Sequence, residues 1–326
     1  MAVVGVIGAG AWGTALAVVA ARGGSEVLLW GRDRHQIACL AARRENARYL
    51  PGITIPEAVR PTAEPGDLLE AGTLLLAIPA QQVRAVCREL PAGGAPLVVC
   101  AKGLERATGL RLSQVVAAER PGTSVAALSG PSFALEVGRG LPTAVTIAAE
   151  DKALATAVAG QLAGPCFRPY PSDDLLGVEL AGALKNVVAI AAGVTMGKNL
   201  GENARASLIA RGLAEMTRLG LALGARRETL MGLSGLGDLL LTATSLTSRN
   251  TRFGFDLARG SSVAELLAAG RKLSEGASTA EAACRLGRRA GVELPIAEAV
   301  RAVVAGETGV DAAIEALLAR PLAPTE

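Results

Sequence analysis

Short apolar runs alternate with longer amphipathic stretches over the first half of the chain, and this alternation predicts its elements. "VVGVIGAG" reads as a buried strand entering a glycine turn, and "AWGTALAVVAARGG" as a helix that ends at glycines 23–24. "SEVLLW" is a second strand and "QIACLAARREN" a helix. "GTLLLAIP" is a third strand stopped by proline, "QQVRAVCREL" a helix, and "APLVVCAKG" and "SVAALSGP" the fourth and fifth strands. "PTAVTIAAE" follows, then a helix near 151–163 and a short strand near "CFRPY". Strands alternating with helices predict a mostly parallel, doubly wound α/β sheet. Beyond about residue 172 the texture changes. Alanine- and leucine-rich segments with helical spacing take over at 202–223, 251–268, 275–290, 294–305 and 309–319, with no convincing strand. The expected organisation is an α/β domain over 1–175 and an all-helical domain over 176–326.

Composition narrows the function classes. The chain has 326 residues, 50% hydrophobic and 19% charged, with a net charge of +3 spread in mixed-sign stretches. No basic cluster is interleaved with aromatics, so nucleic acid is not the expected partner, whereas a small anionic substrate fits. The cysteines, Cys39, Cys87, Cys100, Cys166 and Cys284, are scattered without a CxxC pair. They read as buried thiols in a reducing compartment rather than a disulfide frame or metal site, so no metal is expected. The apolar N-terminus lacks a basic leader region, its first charge being Arg22, and as a membrane span it is broken by glycine. A cytoplasmic protein without a membrane span is expected.

Gly8-Ala9-Gly10-Ala11-Trp12-Gly13 is a G-x-G-x-x-G fingerprint lodged between a strand and a helix, the context in which it binds a dinucleotide. Gly8 allows the tight turn, Gly10 lets backbone approach a pyrophosphate, and Gly13 allows close strand–helix packing. The first domain is therefore expected to be of Rossmann type. Where an acid binding the ribose would end the second strand, the chain reads Trp30-Gly31-Arg32-Asp33-Arg34-His35. Arg32 and Arg34 suit a 2′-phosphate, which favours NADP(H), while the neighbouring Asp33 keeps NAD(H) possible. An ordinary solvated loop is the plainer reading of these arginines. His35, the single histidine, lies in this loop and is not expected to be catalytic.

A hydride enzyme needs a group that exchanges the alcohol proton. Lys185 is the best candidate, because "AGALKNVVAIAAG" surrounds it with Ala, Val, Ile, Leu and Gly. A desolvated amine shifts toward neutral pKa and works as a base, whereas a lysine at a helix edge merely snorkels to water. In "GLSGLGDLLLTATSLTSRNTRFG", Asp238 sits between a glycine-rich turn and an apolar run, and Ser248-Arg249-Asn250 opens a helix. An arginine fork with hydroxyl, amide and helix N–H groups makes a phosphate site, though taken by itself the segment reads first as a simple helix cap at Ser248 or Asn250. Lys102 and the segment 129–134 end the fourth and fifth strands, at the sheet edge where ligands bind.

The segments "GAGAWGTALA", "AKGLE", "SGPSFALEV", "GALKNVVAIAAG", "NARASLIARGLAEM", "GLGDLLLT", "SRNTRFG" and "SEG" run in this order through nearly the whole chain. Together they resemble the bacterial-type NAD(P)-dependent glycerol-3-phosphate dehydrogenases. The resemblance implies interconversion of sn-glycerol 3-phosphate and dihydroxyacetone phosphate, feeding glycerophospholipid synthesis, by a homodimer. It implies Lys185 as proton acceptor, carried on a helix of the second domain. It implies cofactor contacts at Ala11, Trp12, Arg32, Lys102, Ala134, Arg249, Leu273 and Glu275, beside the fingerprint glycines. Substrate contacts are implied at Lys102, Gly130, Ser132, Lys185, Asp238, Ser248, Arg249 and Asn250. A dehydrogenase of β-hydroxy acids and a nucleotide-sensing module without catalysis are the competing readings. The Ser-Arg-Asn segment and Lys102 argue for a phosphate ester.

Overall fold

In the computed structural model, which describes residues 3–268 and 274–320, the first apolar run forms β1 (Val3–Ile7). It leads through the glycine turn into α1 (Ala11–Arg22), β2 (Glu26–Trp30) and α2 (Arg34–Arg43). Three strands then arise that the apolar pattern did not announce: β3 (Glu45–Asn46), β4 (Leu50–Thr54) and β5 (Val59–Thr62). Each buries few of its side chains, Leu50 and Ile53 in β4 and Val59 and Thr62 in β5, so no continuous apolar run marks them. The chain continues through β6 (Thr73–Leu76), α3 (Val83–Glu89) and β7 (Leu97–Val99). Next come α4 (Leu112–Glu119), β8 (Val125–Ser129), α5 (Ala134–Arg139), β9 (Thr143–Ala149), α6 (Lys152–Leu162) and β10 (Phe167–Ser172).

The main sheet has the order β10-β9-β8-β7-β6-β1-β2-β5. All neighbours pair in parallel except β8 and β9, which are antiparallel. Parallel strands need crossover helices on the sheet faces, which buries both faces and explains why β1, β6 and β7 read as unbroken apolar runs. Because β1, β6, β7 and β8 all run the same way, the segments that follow β1 and β8 leave the sheet at one carboxyl edge.

The remaining helices are α7 (Leu175–Gly197), α8 (Glu202–Ala222), α9 (Arg227–Met231), α10 (Asp238–Ala243) and α11 (Arg249–Ala258). After them come α12 (Val263–Leu267), α13 (Glu275–Arg289), α14 (Pro295–Val304) and α15 (Val310–Leu318). The single helix expected over 251–268 is two, parted at Gly260, whose φ is +102°, and restarted by a capping box between Ser262 and Glu265. α7 is long and apolar enough to cross a membrane, but 94% of its apolar window is buried inside the protein. Leu180, Leu184, Val187 and Ile190 on this helix are core residues, each contributing about 1.5–3 kcal/mol by leaving water.

The chain divides into two compact units, residues 1–101 with 112–175, and residues 102–111 with 176–326. The expected first domain, 1–175, thus needs correction: 102–111 belongs with the helices. Leu104 is fully buried in the helical core, Arg111 pairs with Glu179 at 2.6 Å, and Arg106 pairs with Glu281 at 3.1 Å. None of the five cysteines is in a disulfide, but the expectation that all are buried fails for Cys166, which is exposed, and Cys39, which is half-buried.

Candidate active site

In the sheet unit, the fingerprint loop has the geometry its glycines imply. Gly8 has φ +114°, a region that L side chains rarely adopt. A Cβ at Gly13 would sit 1.8 Å from the Gly8 carbonyl oxygen, so only glycine lets α1 start this close to β1. A Cβ at Gly10 would meet nothing within 4 Å, so its backbone faces open space at the start of α1. The Ala9 carbonyl is held by two amides, Gln36 Nε2 at 2.7 Å and Asn46 Nδ2 at 3.0 Å. Asn46 Nδ2 also donates to Thr14 Oγ1 at 2.7 Å, which ties the loop to the first turn of α1. Ala11 and Trp12 begin that helix, and the indole Nε1 of Trp12 is buried with no hydrogen-bond partner among the described residues. An open cradle at a helix N-terminus, with a donor to spare beside it, fits a pyrophosphate-bearing dinucleotide.

At the end of β2, the Asp33 carboxylate accepts the Gln36 N–H at 3.0 Å as the N-cap of α2. One oxygen thus holds the helix, and the other lies 3.9 Å from Arg48 Nη1. Arg34 pairs with Glu64 at 2.7 Å, both side chains well exposed. Arg32 donates to Gln82 Oε1 at 3.2 Å and is exposed. His35 lies exposed on α2 beside Cys39. Gly130 and Ser132 follow β8, with the Ser132 hydroxyl donating to the Gly130 carbonyl at 2.9 Å, and Ala134 opens α5.

In the helical unit, Lys185 on α7 is only 6% exposed and Asp238, the first residue of α10, 1%. Lys185 Nζ donates to Asp238 Oδ1 at 2.8 Å and to Thr242 Oγ1 at 2.7 Å. The Thr242 hydroxyl lies 3.3 Å from the same carboxylate oxygen. Lys102 Nζ donates to the other oxygen, Asp238 Oδ2, at 2.6 Å. One buried carboxylate thus serves two lysines. Burial pushes the Lys185 amine down to about 8, against the pull of Asp238, and the charges of Lys102 and Arg249 add to the fall. Burial by itself raises the Asp238 carboxyl, but the two lysines outweigh it and hold it below the usual carboxylate range. An ammonium has three donors, and Lys185 uses two on Asp238 and Thr242 among the described residues, so a third remains for a substrate oxygen.

Ser248 is the N-cap of α11, its hydroxyl accepting the Thr251 N–H at 3.3 Å, so the cap reading of this serine holds. Arg249 is exposed at the first turn of α11, while Asn250 is buried. Asn250 Nδ2 donates to Asn186 Oδ1 at 2.8 Å, and Asn186 Nδ2 donates to the Lys102 carbonyl at 3.0 Å. Glu275 is the first residue of α13, whereas Leu273 lies outside the described residues.

Backbone contact sets these spacings. A Cβ at Gly193 of α7 would stand 1.9 Å from the Thr251 carbonyl oxygen of α11, and one at Gly254 would stand 1.9 Å from that of Ile190. α7 and α11 therefore cross with their backbones touching, which brings Asn250 within reach of Asn186.

Several of these residues escaped the sequence reading. Thr242 had one faint signal, its i,i+4 relation to Asp238, which puts both on one helix face. Asn186 stood beside Lys185 in plain view, but an uncharged amide says nothing of its partners. Asn46 and Gln36 lie far in sequence from the loop they hold. Glu179, six residues before Lys185, pairs with Arg111 at 2.6 Å.

The comparisons with known proteins agree across the chain. The family description "NAD-dependent glycerol-3-phosphate dehydrogenase N-terminus" matches residues 3–155, and its "C-terminus" counterpart matches 174–315. The chain is 51% identical over 321 residues to glycerol-3-phosphate dehydrogenase [NAD(P)+] of Parvibaculum lavamentivorans, covering 98% of this chain and 96% of the relative. It is 54% identical over 323 residues to the protein of that name from Methylobacterium radiotolerans, covering 98% and 97%. The crystal structure of glycerol-3-phosphate dehydrogenase from Coxiella burnetii superposes with a TM-score of 0.92 at 37% identity, covering 98% of this chain and 99% of that one. By sequence over both halves and by fold over the whole length, the chain belongs to the NAD-dependent glycerol-3-phosphate dehydrogenase family.

Proposed function

We propose that this protein interconverts sn-glycerol 3-phosphate and dihydroxyacetone phosphate, with Lys185 as the group that gives and takes the proton. The observation that carries this reading is the buried Lys185 amine, held by Asp238 and Thr242 with one N–H to spare. A dinucleotide held by the Gly8–Gly13 loop would supply the hydride chemistry at C2 of the ketone, in either direction. As C2 gains the hydride its oxygen becomes an alkoxide, and the Lys185 ammonium donates a proton to it. In oxidation the neutral amine removes the hydroxyl proton. A pKa of about 8 leaves both forms within reach of neutral pH.

Lys102 and Lys185 against the single charge of Asp238 leave the cluster one positive charge in excess, which stabilises a developing oxyanion. Arg249 and Asn250 on the first turn of α11 hold the substrate phosphate, remote from the reacting carbon, and supply binding energy there. The engagement of Asp33 in capping α2, with Arg32 exposed beside it, supports preference for NADP(H) over NAD(H). This reading takes the working protein as a homodimer, which light scattering checks as twice the chain mass. The function is tested by following oxidation of NADPH and of NADH with dihydroxyacetone phosphate, beside a β-keto acid. Turnover with the phosphate ester and not the keto acid is expected. Turnover with the keto acid alone overturns the reading.

A further inference from the structure

Ser274 occupies the N-cap of α13, where a serine hydroxyl ordinarily accepts an N–H of its own helix. Among the described residues it makes no such bond. Its hydroxyl donates instead to Asn250 Oδ1, at 2.8 Å, across to α11. The capping is done by the same oxygen: Asn250 Oδ1 also accepts the Gly276 N–H, at 2.9 Å. An amide oxygen has two lone pairs, so Oδ1 is saturated. Both donors flank Glu275.

The rest of the network fixes which way each amide points. The backbone carbonyls of Lys102 and Gly182 only accept, at 3.0 and 3.3 Å, so they face Asn186 Nδ2 and turn Asn186 Oδ1 toward Asn250. That oxygen takes one N–H of Asn250 Nδ2 at 2.8 Å. Among the described residues Asn250 keeps a single unbonded N–H, aimed by three hydrogen bonds. Turned over, the amide would show an oxygen lone pair to an anion and set its NH₂ against the Gly276 N–H.

We propose that Ser274 is a positioning residue for substrate phosphate: its hydroxyl, given up as a helix cap, locks the Asn250 amide so that an N–H faces the anion. This rests on the assignment of Asn250 to the phosphate. Ser274 touches neither substrate nor reacting atoms and acts through Asn250 alone. The same bond makes the N-terminus of α13, which carries Glu275, and the phosphate-holding turn of α11 one hydrogen-bonded piece.

The test is a double-mutant cycle read in steady-state kinetics with dihydroxyacetone phosphate. Loss of one of the three bonds aiming the amide predicts that Ser274→Ala raises KM by about fivefold, with kcat within twofold. Ser274→Thr, which keeps the hydroxyl, restores KM. Asn250→Ala raises KM further, and adding Ser274→Ala to it changes nothing more. If Asn250→Ala leaves KM unchanged, the phosphate assignment itself fails. If Asn250→Ala raises KM but Ser274→Ala does not, or if the two effects simply add, the positioning role is overturned. Should Ser274→Ala fold poorly, Ser274→Cys keeps the volume with a weak donor. An unchanged KM in that variant is the contrary result.

Discussion

Replacing Asp238 by asparagine takes away the charge that opposes desolvation of Lys185, while leaving an oxygen for its Nζ to bond. The amine then falls below its value of about 8. With Lys185 as the proposed proton donor, reduction of dihydroxyacetone phosphate needs the ammonium, so its rate falls as pH rises through the lysine pKa. We expect the alkaline limb of kcat/KM to lie near pH 8 in the wild type and to move toward acid in Asp238→Asn. Lys102→Met does the opposite: it removes a like charge, and the limb moves toward alkali. A limb that stays in place in both variants would mean that another group titrates. At this scale the sequence was legible where a charge sat in apolar surroundings, as Lys185 and Asp238 do. It was silent on Thr242, Asn186 and Asn46, whose types are common in helices and loops and whose partners lie far along the chain.

The helices hold these groups by touching at glycine. Gly254→Ala would place a methyl group 1.9 Å from the Ile190 carbonyl oxygen, and α11 must move away from α7. Overpacking of this kind costs at least about 1–3 kcal/mol. The variant should melt several degrees lower and, with Arg249 and Asn250 as the proposed phosphate contacts moving with their helix, show a raised KM for dihydroxyacetone phosphate. Unchanged melting would show that the crossing gives way freely. A second joint is buried Glu215 of α8, whose carboxylate accepts from Ile296 N at 2.8 Å and Ala297 N at 3.4 Å, at the start of α14. Burial pushes it up to about 7, although both N–H groups, Arg218 and Arg211 pull it down. The folded protein therefore holds a proton that the unfolded chain releases near 4.5. Ionising it inside the fold costs about 3 kcal/mol, so stability is highest below pH 4.5 and that much is lost once pH has risen through 7. Glu215→Gln should flatten the fall in melting temperature between pH 5 and 8, and an unaltered slope would count against the assignment. Helices long and periodic enough, such as α8 and α13, were legible in the chain. The hairpin β3–β4 and edge strand β5 were not, since three and two buried residues leave no periodic trace.

For the molecule, the order of apolar runs announced a parallel sheet followed by helices, and the break at residue 175 is visible because strand periodicity stops there. Hidden from that pattern was residues 102–111, which follow a sheet strand in sequence but fold with the helices. Only pairings such as Arg111 with Glu179 reveal this. Cofactor choice also belongs to this scale, since it turns on the loop after β2. With Asp33 committed to α2, Arg32→Ala should raise KM for NADPH about tenfold, as loss of an arginine–phosphate contact implies, and leave KM for NADH near the wild-type value. Equal losses with both cofactors would place Arg32 outside the discrimination.

We assign the proton transfer to Lys185. The rate of NADPH oxidation with saturating dihydroxyacetone phosphate in wild type and Lys185→Ala, with NADPH binding followed by fluorescence in both, tests this most directly. Loss of a positioned general acid predicts a fall in kcat of about 10²–10⁴-fold with cofactor binding intact. A variant that binds NADPH and turns over within a few-fold of the wild type would contradict the account.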